Sequence, residues 1–422
     1  MKDADTTAQT ILISPDTADS QDFGQAFWQI DDFTGSSASS PEAASSEAAS
    51  SEAAFVEASI AETNAEINFE HKIFRYRQIV QQVPGSTVAW NHLGYYLARA
   101  KRYLEAIEAY ARSLHLNSYA PRIWYNYGTL LEKLGCYCEA ISSYQQALVV
   151  SPSYFKAMYG ESKNLFRLAR YPEALASYDR ALASPLAIGA NAYELWYGRG
   201  KTLLKLNRLN EAVSSFEKAL SLYSQASKVW ACLGQALMHL NQDEAAIKKF
   251  DKALKLSPQI PLYWIYQGFL LKRLGRYEEA LNCFDEALSL DPAAPKTWHH
   301  RGLALMKLRR YKDAHDSFEY ALKNQAYDHK SWLSLGWTLE KLGDFSQAIE
   351  AYNKALSIEP DQSFAFYRQA RCYAVLRQEN SAIEHLRRAI ALHPETYIPR
   401  SQADPALQQV QTKALLAGAA SS

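Results

Sequence analysis

Residues of the right types for chemistry fall in four places, and their spacing decides each case. The stretch GRGKT, Gly198 to Thr202, sets glycines ahead of a lysine and a threonine, the order in which backbone amides, an ammonium and a hydroxyl cradle a phosphate and its magnesium. A phosphate loop needs its first glycine five residues before Gly200, where Leu195 stands, and a preceding strand, where the pattern is helical. Cys136 and Cys138 stand one residue apart without two further ligands for zinc, and an odd total of five cysteines reads as reduced thiols. His299 and His300 are adjacent, so on a helix they point to different faces, one toward a groove and one toward a neighbouring helix. Glu278, Glu279 and Glu350 recur at exposed places and read as solvated surface. No nucleophile–base pattern stands out, so no catalytic residue, metal or cofactor is expected, and the chain is not read as an enzyme.

The elements that would position any site follow from a period. Residues 261–294 carry Trp264, Gly268, Leu271, Leu274, Gly275, Tyr277, Ala280, Phe284, Ala287, Leu290 and Pro292 in that order. Trp196, Trp230, Trp264, Trp298 and Trp332 follow one another at 34 residues, as do Trp90 and Trp124. Within the unit, apolar residues recur at helical spacing from Tyr263 to Leu274, break at Gly275 and Arg276, and resume until Asp291-Pro292 stops them. That is a helical hairpin. Gly268 and Ala280 let the two backbones approach where the helices cross, and Trp264, Leu271 and Phe284 fill the space around them. Neither helix can bury its apolar stripe alone, so stability must come from stacked neighbours. Truncating such a Trp or Phe to Ala is expected to cost about 3–5 kcal/mol.

A 34-residue hairpin with this residue order resembles the tetratricopeptide repeat, and its Trp- and Gly-rich style resembles large bacterial arrays of the cyanobacterial type. The resemblance implies an all-α fold, a right-handed solenoid or superhelix of about nine helix-turn-helix units over 87–396 with flanking capping helices. The units begin near Thr87, Pro121, Phe155, Tyr193, Ser227, Pro261, Pro295, His329 and Ser363, and places are counted from these residues. Residues 67–86, where Tyr76, Ile79 and Pro84 echo a second helix, are expected to cap the first end. Residues 397–422 are expected to cap the other, with DPALQQVQTKALL as the helix and a frayed terminus. The third unit departs from the pattern. Met158 replaces Trp, Ser162 replaces Gly, and SPLAIGANA lengthens the connection to the fourth unit, which reads as a kink or as a local edge for a partner. The ninth unit, with Phe366, Ala370, Ala382 and Leu386, is degenerate as a terminal repeat should be.

Residues 1–66 hold 13 acidic side chains and one lysine, whereas the remainder carries an excess of basic ones. Ser, Ala and Glu dominate this stretch, and Glu42, Glu47, Glu52, Glu57 and Glu62 recur in steps of five, which keep no helical face, so an acidic disordered tail is expected. One island, DFGQAFWQIDDF at 22–33, clusters aromatics among aspartates and reads as a docking motif, for a partner or for the chain's own groove. No apolar run approaches the ~18 residues of a membrane span. The start lacks the basic and apolar regions of a secretory signal, so a cytoplasmic location is expected.

In arrays that this chain resembles, first helices line a concave face, and the second, fifth, ninth, twelfth and thirteenth places meet a ligand. Carried over, the resemblance makes Tyr95, Tyr125, Tyr159, Lys163, Tyr197 and Lys201 a tyrosine-rich, basic early groove, and Phe269, Leu303, Leu333 and Trp337 an apolar late one. The thirteenth place carries a ladder, Arg99, Lys133, Arg167, Lys205, His239, Arg273, Lys307 and Lys341, suited to pairing within the array or to acidic segments. Asn91 is isolated, so the pattern by which such arrays hold a chaperone's terminal carboxylate is not met. The expected function is a non-catalytic interaction scaffold or assembly factor for a protein or peptide partner. Two rivals stand beside it. A regulatory subunit or an enzyme with a site assembled across the array would show a pocket of convergent titratable groups. Nucleic-acid binding through the ladder is not expected, because the basic excess is spread thinly and no flexible basic loop accompanies it.

Overall fold

The computed structural model describes residues 69–185, 187–408 and 410–411, all within one compact unit, Phe69–Ser422. The acidic tail with its island at 22–33, and the part of the expected terminal cap beyond residue 411, lie outside the described residues. Among the described residues every regular element is a helix. A helix over 69–82 comes first. Nine pairs follow: Thr87–Arg99 with Tyr103–Leu116, Pro121–Lys133 with Tyr137–Val150, Phe155–Arg167 with Tyr171–Leu182, Gly189–Lys205 with Leu209–Leu222, Ser227–His239 with Asp243–Leu256, Pro261–Arg273 with Tyr277–Leu290, Pro295–Lys307 with Tyr311–Asn324, His329–Leu342 with Phe345–Ile358, and Ser363–Val375 with Glu379–Leu392. Each helix packs on its partner and each second helix on the next first helix, the stacking of an α-solenoid.

The turn inside each hairpin is fixed by one backbone device. The fifteenth residue of every repeat is left-handed: Lys101, Gly135, Ala169, Asn207, Asn241, Gly275, Arg309, Gly343 and Arg377 all have φ between 57° and 87°. In repeat six the Gly275 amide donates to the Lys272 carbonyl at 3.0 Å and the Arg276 amide to the Leu271 carbonyl at 2.9 Å, so two carbonyls orphaned by the helix end are satisfied. Only three of the nine positions are glycine. The others carry a side chain where a Cβ crowds the following carbonyl, at a cost of roughly 1–2 kcal/mol each.

Packing within the hairpin sets one large residue against small ones. The alanines at the twentieth place, from Ala106 to Ala382, are fully buried. At the twenty-fourth place Tyr110, Tyr144, Tyr178, Phe216, Phe250, Phe284, Phe318 and Tyr352 are buried, and in seven of these eight repeats the ring lies on the glycine at the eighth place. A Cβ added to Gly200 would stand 2.5 Å from Phe216 Cε1, and one added to Gly268 would stand 2.8 Å from Phe284 Cε1. The ninth repeat makes the opposite trade, Ala370 with Leu386.

Tryptophan at the fourth place does something other than fill the core. Trp90, Trp124, Trp230, Trp264, Trp298 and Trp332 are half-buried, and each indole N–H donates, at 2.8–2.9 Å, to the carbonyl six residues earlier. The ring thus closes the turn between repeats. The full core cost expected for truncation belongs to residues such as Phe284 more than to Trp264.

Two departures are absorbed differently from the sequence expectation. The extra residues before repeat four extend a helix: Gly189–Lys205 is 17 residues long where the other first helices have 13 or 14. At the far end a helix at Pro394–Ala403 precedes the expected capping segment, and Tyr397, Leu407 and Val410 cover the face that Leu386 and Ala389 would otherwise expose.

Replacing Gly200 by Ala is expected to destabilise repeat four by about 1–3 kcal/mol, because the added Cβ would stand 2.5 Å from the fully buried Phe216 ring. Adding Phe216→Leu should recover part of that loss, and chemical denaturation of the two variants checks it. Ala169→Gly should act in the other direction, stabilising the third repeat by roughly 0.5–1 kcal/mol through relief at φ 57°, read as increased amide protection around residues 165–170.

Candidate functional site

First helices of adjacent repeats touch at every step of the array, whereas no pair of second helices approaches to the same extent. The side lined by first helices is therefore the shorter, inner one, and its lining comes from the fifth and ninth places.

At the early end the tyrosines remain accessible in part. Tyr95 is 45% exposed, edge-on to Tyr96 at 5.3 Å. Tyr125 is half-buried, edge-on to Tyr154 at 5.7 Å and tilted on Tyr144 at 5.8 Å. Tyr159 is half-buried and donates to Glu194 Oε2 at 3.2 Å; burial and then the Glu194 carboxylate push its phenol well above the ordinary range. Tyr197 stacks on Tyr193 at 6.4 Å with 7° between planes. Lys163 donates to Glu132 Oε1 at 2.7 Å, and Lys201 lies over the Phe166 ring at 5.1 Å. The six early candidates thus sit on four successive first helices.

The late candidates are engaged by the array itself. Phe269 is 7% exposed, edge-on to His300, with Lys272 and Arg273 over its ring, so it offers almost no surface, contrary to its expected place in the groove. Leu303, Leu333 and Trp337 are half-buried and pack against the core around Leu335 and Leu339. Arg368 lies over the Trp337 ring at 5.4 Å.

Two glutamates at the twelfth place were missed by reading fifth and ninth places alone. Glu132, its side chain 13% exposed, accepts from Lys163, from Asn164 at 3.0 Å, from Arg167 at 3.1 Å and from Tyr144 at 3.2 Å. Burial opposes its charge, yet these donors outweigh it and hold its carboxyl below the usual range. Glu340, fully buried, accepts from Tyr352 at 2.6 Å, Arg368 at 2.8 Å and Arg371 at 2.7 Å. The signal was present in the sequence as an acid where the other repeats carry Ala, Phe, Leu, Met or Lys.

Three rungs of the cationic ladder serve the stack. Lys133 lies over Tyr103, Arg167 over Tyr137, and Arg273 pairs with Asp243, in each case the seventeenth place of the preceding repeat. The other candidates for chemistry divide between packing and open surface. Gly200 carries the Phe216 ring in mid-helix, and Cys136 and Cys138 are exposed and free. Among the described residues His315, Asp316 and Glu319 bring three ligand-type atoms together on an outward second helix, where solvated acidic groups are ordinary.

Neither His299 nor His300 faces the groove. His299 Nδ1 lies 2.8 Å from the Ser331 hydroxyl, and His300 stacks on Phe284 at 6.1 Å. Burial first, then Lys272 and His299, hold the His300 imidazole well below its ordinary range, with Lys296 and Lys330 adding to the effect. Below about pH 6.5 the unfolded chain takes up a proton that folded His300 refuses. Stability from this residue is therefore complete above that pH and falls as pH drops toward the folded value. His300→Tyr, matching Tyr266 at the same place of the preceding repeat, should flatten the decline between pH 6.5 and 5, measured by urea denaturation across pH.

Comparison with known proteins follows the same lines. Residues 162–409, more than half of the chain, match the family described as cilia and flagella-associated protein 70 C-terminal domain, and residues 75–121, 93–155 and 125–192 match the tetratricopeptide repeat. No curated protein matches the chain. Among solved structures, the C-terminal part of a TPR repeat-containing protein from Cytophaga hutchinsonii is 18% identical over 56% of this chain and 95% of that one, with a TM-score of 0.50. A tetratricopeptide repeat protein from Parabacteroides merdae is 15% identical over 61% and 98%, TM-score 0.44. YrrB, described as a TPR protein with an unusual peptide-binding site, is 23% identical over 44% and 95%, TM-score 0.41. Among the described residues no helix is long and apolar enough to cross a membrane. With its 34-residue hairpins, their shared turn and crossing geometry, and a match over most of residues 75–409, the chain belongs to the tetratricopeptide repeat proteins and, through residues 162–409, to the family of the cilia and flagella-associated protein 70 C-terminal domain.

Proposed function

We propose that the protein is a non-catalytic interaction scaffold that binds an extended segment of a protein partner on the face lined by the first helices of repeats one to four. The observation that carries this reading is the run of tyrosines on that face, one on each of four successive first helices. Tyr95 is exposed and Tyr125, Tyr159 and Tyr197 are half-buried on successive helices, while at the late end Leu303, Leu333 and Trp337 are half-buried and Phe269 is buried. Tyrosine suits such a surface because a rigid amphipathic ring gives contact area at low conformational cost and its hydroxyl finds peptide groups. Lys163 and Lys201 add orientation more than affinity. A cytoplasmic setting belongs to the same proposal and fits the free thiols of Cys136 and Cys138.

Affinity capture with the full-length chain and with the triple variant Tyr125→Ala, Tyr159→Ala, Tyr197→Ala tests this. The triple variant should keep its helical circular dichroism and lose the partners that the native chain captures. A Leu303→Ala, Leu333→Ala variant should keep them. Equal capture by the native chain and the tyrosine variant would show that the early face is not the site. A labelled peptide of residues 22–33, added as a competitor, asks in the same assay whether the chain's own aromatic island occupies this face.

A further inference from the structure

Lys341, at the thirteenth place of repeat eight, is crowded by cations from the repeats on both sides. Both oxygens of the buried Glu340 beside it are spent: Oε1 accepts from Tyr352 at 2.6 Å and from Arg368 at 2.8 Å, and Oε2 from Arg371 at 2.7 Å. Arg371 Nε lies 3.2 Å from Asp404 Oδ2, and Arg368 packs over the Trp337 and Phe364 rings at 5.4 and 5.7 Å. Lys341 thus faces the two guanidiniums that Glu340 has drawn in, and Arg309, on the turn of repeat seven, repels it as well. Burial first, then Arg368 and Arg371 with Arg309 adding to them, hold the Lys341 ammonium below its ordinary range, and Glu340 offsets this only in part. Four cations from three repeats share two carboxylates here, and Lys341 and Arg309 are exposed.

Comparison within the chain shows that the repeat does not require this crowding. At the same place of the second repeat Lys133 lies over the Tyr103 ring, and the third repeat has Gly160 where the ninth has Arg368. Arg309 stands at the left-handed residue of its turn, φ 59°, where repeats six and eight have Gly275 and Gly343. A side chain there carries a conformational cost that glycine avoids, and this one adds to the repulsion on Lys341. Strain kept at one point of a surface is characteristic of binding sites. Like charges gathered there without matching carboxylates are stabilised by an anion from outside.

We propose that Arg309, Lys341 and Arg371 receive the phosphate group of a phosphorylated serine, threonine or tyrosine in a protein partner. The site is separate from the tyrosine-lined early face and does not depend on what binds there. A phosphate monoester brings close to two negative charges and three acceptor oxygens, which match the surplus of cations over carboxylates and the three donors. Arg368, buried behind them, helps to set the charge and does not touch the ligand. The donors lie on open surface, whereas a small free anion is ordinarily enclosed in a cleft. A phosphorylated side chain held in place by the rest of its protein is therefore the source that this geometry favours.

The test uses pools of short peptides with a central phosphoserine, phosphothreonine or phosphotyrosine, randomised flanks and blocked ends, passed over the immobilised full-length chain beside the same pools without phosphate. The phosphorylated pools should be retained. Removing the phosphate from a retained peptide should weaken its binding, read by fluorescence polarisation, roughly tenfold or more, the range of charge-assisted contacts. Arg309→Gly installs the residue that repeats six and eight have at this turn, so it should raise resistance to urea while weakening the phosphopeptide severalfold, a combination that no folding defect produces. Lys341→Met should weaken the phosphopeptide by a similar factor and leave the unphosphorylated peptide unaffected. Equal retention of the two kinds of pool, or equal affinity of a phosphopeptide for the native chain, Arg309→Gly and Lys341→Met, would overturn the proposal. Retention that is lost in the triple tyrosine variant and kept in these two would also overturn it, and would assign the phosphate to the early face. A labelled single-stranded oligonucleotide that binds through Arg309 and Lys341 where no phosphopeptide is retained would overturn it in favour of phosphodiesters.

Discussion

In eight of the nine repeats one aromatic ring ties the array together along its length. In seven of them the ring at the twenty-fourth place lies on the glycine of its own first helix, and in several it also meets the sixth-place residue of the next repeat. Tyr144 is held between Gly128 and Gly160, Phe250 between Gly234 and Tyr266, and Phe284 between Gly268 and His300. The same contact begins before the first repeat, where His92 stacks on Tyr76 of the leading helix at 5.2 Å. The ring belongs at once to the crossing inside a hairpin and to the stack between hairpins, so neither can form fully without the other. That is why a unit with so small a core of its own is stable only among neighbours.

Where this clamp changes, polar groups enter and must be satisfied. In the third repeat Ser162 takes the glycine's place, and its hydroxyl donates to the Met158 carbonyl and meets Ser177 Oγ at 2.9 Å. Ser177 in turn donates to Glu161, a nearly buried carboxylate that also accepts from Gln145 and Arg180. A buried charge left unpaired would cost several kcal/mol. Here it is enclosed by three donors from two repeats, and the array continues through the substitution into the lengthened first helix of the fourth.

The period made the architecture legible, because each place in the 34-residue unit repeats the same physical problem. Eight of nine first helices begin at the residue that the spacing indicated; the exception, Gly189, arises because inserted residues can extend a helix as readily as a loop. The sequence could not show that the tryptophans close turns, since their size alone pointed to the core. At the candidate site, places were legible and exposure was not. Phe269 and His299 occupy ligand-facing positions by register, yet aromatic and polar neighbours on adjacent repeats draw both inward. The roles of Glu132 and Glu340 were hidden for a related reason. Their role depends on cations in the next repeat, a relation between units that a single-unit pattern does not contain.

This separation of places explains how a uniform stack can carry a local site. The eighth, twentieth, twenty-fourth and twenty-seventh places are consumed by the crossing and tolerate little, as the fully buried alanines and the close glycine contacts show. The second, fifth, ninth and twelfth places lie toward the inner side and differ from unit to unit, from the exposed Tyr95 to the buried Phe269, His299 and Glu340. Their charges are nonetheless coupled across one repeat boundary, because the twelfth place of one unit lies against the ninth of the next: Glu132 with Lys163, Phe166 with Lys201, Glu340 with Arg371. The twelfth place therefore sets what the neighbouring cation packs against, a carboxylate in the second and eighth repeats and an aromatic ring in the third.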